Sequence, residues 1–151
     1  MMKNTILSQY QSKIDQLIDI SQIIRPKEGW IRSLRKALGM SSPQLARRLS
    51  ISKSQASQME RMEVEDRITL KQLRRVADAL DCDLTYALVP RKPVKAMVRD
   101  RARLKAIKLV KKADVQMKLE AQRLSSESLD AQIEVEVERL MREMPRDLWE
   151  D

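Results

Sequence analysis

Two short segments eleven residues apart, Ser41-Ser42-Pro43-Gln44 and Ser52-Lys53-Ser54-Gln55, constrain this chain more than any other feature. Each is a Ser-x-x-Gln pattern, in which a serine hydroxyl and a glutamine amide reciprocally satisfy free amides at a helix start. Two such signals this close predict two short helices joined by a tight turn, over 41–63. Leu45, Ala46, Leu49, Ile51, Ala56 and Met59 supply the apolar contacts. Ala46 and Ala56 are small where the helices must cross, and Ile51 plugs the turn. The second helix then carries small polar and basic side chains outward, a shape that fits the major groove of DNA.

The remaining pattern is helical too. Apolar residues at Ile6, Leu7, Tyr10, Ile14, Leu17, Ile18, Ile23 and Ile24 predict an amphipathic helix over 4–24, broken by Pro26 and Gly29. Trp30, Ile31, Leu34 and Leu38 predict a helix stopped by Gly39, with those four residues facing inward. Thr69 is placed to cap a helix running to Leu80 that buries Leu70, Leu73, Val76, Ala77 and Leu80. Five small helices in this order make an all-α core. Leu84–Val89, closed by Pro90, has strand character, with a last helical turn as the alternative.

Beyond Ala96 two stripes follow: Ile107, Val110, Ala113, Met117, Ala121 and Leu124, then Leu129, Ile133, Val137, Leu140 and Met144. Each is too narrow to be stable alone, so an antiparallel hairpin is expected, broken at Ser125-Ser126 and ended by Pro145. Leu148 and Trp149 read equally as a partner anchor or as a tail folded onto the core. The domains expected are an N-terminal helical arm (1–28), a helix-turn-helix domain (29–90), and a C-terminal helical hairpin with tail (91–151).

Charge sharpens the functional reading. The net charge is +8. Residues 91–124 carry twelve Lys and Arg against three Asp and Glu, whereas 125–151 carry three against nine. A basic body attracts polyanions, and the acidic end can pair with the basic stretch. Catalysis fits poorly, because the sequence has no histidine and a single cysteine, Cys82. A lone thiol excludes a structural zinc site, and with only Gly29 and Gly39 no glycine-rich phosphate loop exists. Glu60, Glu63, Glu65 and Asp66 read as a solvated, salt-bridged helix end. No cofactor or metal is expected. One cysteine, no long apolar run and a polar start read as a soluble cytoplasmic protein without a membrane segment.

With Ala56 and Met59 facing inward, Lys53, Ser54, Ser57 and Gln58 project from the first turn and a half of the second helix. Lys53 can donate to guanine O6 and N7, and Gln58 can pair with adenine N6 and N7. The two serines let the backbone approach base edges. Ser42, Gln44, Arg47, Arg48, Gln55 and Arg61 are the candidates for phosphate contacts, which set register without reading sequence. Gln55 has a competing role in its capping box. An RNA-binding role for the basic 99–118 stretch ranks last, because no aromatic residue lies among those cations to stack on bases.

These residues resemble the phage-repressor, or Xre-type, helix-turn-helix family. The match runs through Ile31-Arg32-x-Leu34-Arg35-Lys36-Ala37-Leu38-Gly39-Met40-Ser41, Gln44-Leu45-Ala46-Arg47-Arg48-Leu49, Ser57-Gln58-Met59-Glu60-Arg61 and Leu73-Arg74-Arg75-Val76-Ala77-Asp78-Ala79-Leu80. The resemblance implies a five-helix bundle whose third helix reads operator double-stranded DNA, usually as a homodimer. It also implies base contacts at Lys53, Ser54, Ser57 and Gln58 and phosphate contacts at Ser42 and Arg61. Two family glycines are replaced, by Ser50 in the turn and by Met62 after Glu60-Arg61. A left-handed Ser50 costs ~1 kcal/mol or more relative to glycine.

The whole chain also resembles the narrower group called mobile mystery protein A, through Gly29-Trp30-Ile31-Arg32, Asp83–Pro90 and Pro145-Arg146-Asp147-Leu148-Trp149. That resemblance implies a bacterial, nucleoid-associated autorepressor of antitoxin type, with a Fic-domain protein encoded by a neighbouring gene as partner. Neutralising such a partner is the alternative role. The Ser/Thr-x-x-x-Glu-Gly/Asn motif of Fic inhibitors is absent.

Overall fold

The computed structural model of the chain describes residues 2–20, 22–119 and 125–151. Seven α-helices are found among them: α1 (Met2–Asp15), α2 (Trp30–Ala37), α3 (Ser42–Leu49), α4 (Lys53–Val64), α5 (Leu70–Ala79), α6 (Val94–Leu119) and α7 (Ser126–Glu143). They fall into two units. One joins the residues up to Asp19 with Val89–Asp151, and the other is Ile20–Leu88. No helix among the described residues is long and apolar enough to cross a membrane.

The Ile20–Leu88 unit is a four-helix core of α2 to α5 around Ile31, Leu45, Leu49, Met59, Val76 and Leu80. Three of the four helices begin as the sequence predicts. Ser41, Ser52 and Thr69 each accept from the amide three residues on, while Gln44, Gln55 and Gln72 reach back to the cap amides. Gly39, at φ +65°, ends α2 by letting the chain turn left-handed.

The fourth helix starts differently. α2 follows Gly29, which has no side chain to cap it, so its first amides need an acceptor from elsewhere. Glu63, near the end of α4, supplies it: the Trp30 and Ile31 amides donate to its Oε2 and Oε1 at 2.7 and 2.8 Å. The carboxylate is 4% exposed. Gly29 sits at φ +86°, ψ 163°, a region open essentially to glycine. A Cβ there would meet the Glu63 carboxylate at 2.9–3.1 Å. Arg25 closes the arrangement by donating to Glu63 O at 2.9 Å and to Asp66 Oδ1 at 2.6 Å. One turn earlier on α4, Glu60 receives Arg35 Nε at 2.6 Å, and Arg35 also donates to Met40 O at 2.9 Å.

Several sequence expectations are corrected here. Residues 84–89 form neither a strand nor a helical turn but irregular chain, with Tyr86 and Leu88 exposed. The helix expected over 4–24 ends at Asp15, continues as a 3-10 turn over Gln16–Ile20, and packs on α6 rather than joining the core. Trp30, Leu38 and Leu70 are exposed, because the core needs only the Ile31–Leu34 side of α2 and the Leu73–Val76–Leu80 side of α5. Glu63 is an internal cap rather than part of a solvated helix end.

In the other unit α6 and α7 form the expected antiparallel pair. Arg99–Glu138 at 2.9 Å and Arg103–Glu134 at 2.6 Å advance in opposite directions along the two helices. The buried row on α6 steps by four: Val98, Ala102, Ala106, Val110 and Asp114. This shifts the predicted α6 stripe: Val110 is buried, Ile107 half-buried and Ala113 exposed. The side chain of Met117, and Ala121 and Leu124, lie outside the described residues. The α7 stripe is as predicted, with Val137 and Leu140 buried and Leu129, Ile133 and Met144 half-buried. Ser125 caps α7 by accepting from Ser128 N. After Pro145 the tail folds back. Leu148 is 1% exposed, while Trp149 stays exposed with the Arg101 guanidinium 6.0 Å from its ring centre.

Two outcomes follow from these contacts. Glu63→Ala strips two α2 amides of a charged acceptor and lowers the stability of the Ile20–Leu88 unit by about 2–4 kcal/mol, read by urea unfolding of the helical circular dichroism. Acid weakens the α6–α7 unit. The hydrogen bond from Lys105, and then its charge, hold the Asp147 carboxyl below the usual carboxylate value, and Arg139 does the same to Glu136. Folded values below the unfolded ones mean this stabilisation is present above the ordinary carboxylate range and is lost as pH falls through the folded values. Lys105→Ala raises the Asp147 titration, followed by carboxyl NMR, toward the ordinary range.

Candidate nucleic-acid interface

The α3–turn–α4 element presents one face of α4 outward and anchors the other. Ala56, Met59 and Glu63, at steps of three and four, are buried. Opposite them Lys53, Ser54, Gln58 and Arg61 are exposed, and Ser57 is half-buried beside α3. These positions share a helix face over the first two turns. At twelve residues α4 is about 18 Å long, a rod that a major groove about 12 Å wide admits.

The turn between the helices is held by the backbone. Ser50 adopts φ 55°, ψ 41°, so the left-handed conformation expected of the usual glycine is kept by a serine. The Ser50 and Ile51 amides donate to Arg47 O and Ala46 O at 3.1 and 3.0 Å, which ties the turn to the end of α3. Ile51 is half-buried against the core. Met62, the other replaced glycine, lies inside α4 and has no positive φ. The positive φ falls instead at Asp66, just past the helix.

Around α4 the polar groups are arranged in layers. The Ser42 and Ser57 hydroxyls lie 3.4 Å apart and link the starts of the two helices. Gln44 Oε1 accepts from Ser41 N at 2.7 Å and Gln55 Oε1 from Ser52 N at 3.0 Å. Each glutamine therefore uses its oxygen for the cap and keeps its Nε2 group to donate outward. Arg47 is exposed. Arg48 donates from Nε to Ala79 O at 2.7 Å, joining α3 to the end of α5, and Arg75 donates to Leu49 O from the other side. The sequence-predicted residues thus lie on one element, and Arg48 has a structural bond beside its exposed guanidinium.

The sequence of residues 31–86, fifty-six of the 151, matches the model of the helix-turn-helix family. This segment is similar to helix-turn-helix domains. No curated protein and no solved structure matches the chain. The matched span takes in α2 to α5 whole apart from Trp30, and with it the three capping boxes and the buried Glu63. The match supports a DNA-binding regulator. Sequence reasoning missed Glu63 and Glu60 as the residues that hold α4. The available signal was a helix start at Gly29 with no capping side chain of its own.

The αL serine gives a direct test of the turn. Ser50→Gly raises the stability of the helix-turn-helix domain by about 0.5–1 kcal/mol, and Ser50→Val lowers it by about 1 kcal/mol or more, both measured by urea unfolding.

Proposed function

We propose that the protein is a sequence-specific transcriptional regulator. In this reading Lys53, Ser54, Ser57 and Gln58 contact base edges, while Ser42, Gln44, Arg47, Arg48, Gln55 and Arg61 contact phosphates. One observation carries it: the start of α4 is exposed on the face bearing those side chains, while Ala56, Met59 and Glu63 fix its back. Lysine and glutamine there supply donors and acceptors to the base edges, and the glutamine Nε2 groups aim charge-free donors at the backbone.

We further propose that it acts as a homodimer, repressing its own promoter in the manner of an antitoxin. A groove of about 550 Å³ in the Ile20–Leu88 unit offers a surface for a second copy. Trp30, Leu34, Leu73, Ala77 and Leu84 line it, a largely apolar surface on a small unit. The antitoxin role and a Fic-domain partner rest on the whole-chain resemblance alone.

The test is a gel shift across fragments of the gene's own promoter at physiological salt. Wild-type protein retards one fragment preferentially. Lys53→Ala with Gln58→Ala keeps its helical circular dichroism but reduces that preference by about tenfold or more, since each bidentate contact contributes about 1–3 kcal/mol of discrimination. Equal retardation of every fragment by the wild type, or undiminished preference in the double variant, overturns the assignment.

A further inference from the structure

Two groups stand out among the described cations of α6 from Arg99 to Lys112. Those beside α7 and the C-terminal tail are used internally. Arg99 and Arg103 pair with Glu138 and Glu134, Lys105 pairs with Asp147, and Arg101 donates to Leu148 O and pairs with Asp151. Lys108, Lys111 and Lys112 are exposed and have no ion pair or hydrogen bond among the described residues. Lys108 shares a cleft with Asp147, Glu150 and Asp151, of which Asp147 and Asp151 are already paired to Lys105 and Arg101.

Their spacing is costly for a helix on its own. Lys108 lies three and four residues from Lys111 and Lys112, the separations at which like charges repel and weaken a helix. Among the described residues no ion pair offsets that repulsion, and a polyanion bound along this stretch relieves it. Their Cα atoms span about 6 Å along the helix axis, and the flexible stems let three ammonium groups spread over successive phosphates of a DNA backbone. Lysine on a long stem meets phosphate as a point charge, without the geometry that base reading needs. In the proposed function a duplex is bound through the helix-turn-helix domain, so the polyanion is at hand.

We propose that Lys108, Lys111 and Lys112 form a second DNA-contacting surface, one that grips phosphates and reads no sequence. The inference rests on the DNA-binding function, and it adds affinity from a part of the chain outside the matched domain. Exposed Leu104 and Val115 bracket the lysines along α6. An acidic protein surface would use them as well, and that is the competing outcome.

The experiment uses the full chain with Lys108→Gln, Lys111→Gln and Lys112→Gln combined, compared with the three Lys→Arg changes. Fluorescence anisotropy measures binding to a duplex of the gene's promoter and to a scrambled duplex over a range of NaCl. Losing three phosphate contacts flattens the slope of log K against log salt by about 2.7. Raising salt from 50 to 200 mM then costs the wild type ~40-fold more affinity than it costs the glutamine variant. Both duplexes lose affinity alike, their ratio holds, and the arginine variant keeps the wild-type slope. An unchanged slope overturns the proposal, and a change of mass in light scattering at unchanged slope assigns the lysines to a protein interface instead. If the wild type binds neither duplex, the DNA-binding function itself fails, a result distinct from an unchanged slope.

Discussion

A single buried carboxylate organises the helix-turn-helix domain. Glu63 takes the two leading amides of α2 onto its two oxygens, so one side chain joins the end of α4 to the start of another helix. A buried charge of this kind is tolerable only when it is fully hydrogen-bonded, and two short amide bonds with the positive end of a helix dipole meet that requirement. The requirement propagates. Gly29 must lack a side chain to let the carboxylate in, and it must be glycine to hold its backbone angles. Arg25 then ties the chain entering α2 back to the end of α4.

The proposed function draws on how α4 divides its length. Its C-terminal half carries Glu60 and Glu63, three residues apart on the inner face, bound to the two ends of α2. Its N-terminal half carries small and polar residues on the outer face and only Ala56 and Met59 on the inner. Anchoring at one end leaves the outer face of the other, among the described residues, with only the Ser52–Gln55 capping box and the Ser42–Ser57 contact as internal obligations. A helix held this way meets a groove with its backbone already positioned, so binding costs little further ordering.

Local chemistry was the legible part of the sequence. The capping boxes at Ser41 and Ser52, the crossing alanines Ala46 and Ala56, and the hairpin caps at Ser125 and Pro145 were all readable, because each depends on residues close along the chain. The outward face of α4 was readable for the same reason: once Ala56 and Met59 point in, helical spacing settles the rest. What escaped depends on distant partners. No local pattern distinguishes the buried Glu63 from the exposed Glu65 two residues later. Apolar residues misled where packing covers only one side, as with Trp30 and Leu38 on α2. The 84–89 segment has strand composition, but no strand among the described residues pairs with it, and an isolated strand does not hold.

Charge shows the same difference between composition and structure. The excess over 91–124 and the deficit over 125–151 look like opposing signals, yet much of both is spent between α6 and the segment after it. Exposed pairs such as Arg99–Glu138 contribute little stability, about 0–1 kcal/mol each. Their effect is to set direction and register between two helices whose contact row includes the fully buried Ala102 and Ala106. Alanines let helices approach closely but define position weakly, so side-chain pairing along the flanks chooses among sliding alternatives. Net charge therefore overstates what a polyanion meets. Among the described residues of α6, Lys108, Lys111 and Lys112 are exposed without an ion pair, whereas the charges of Arg99 and Arg103 are matched by Glu138 and Glu134.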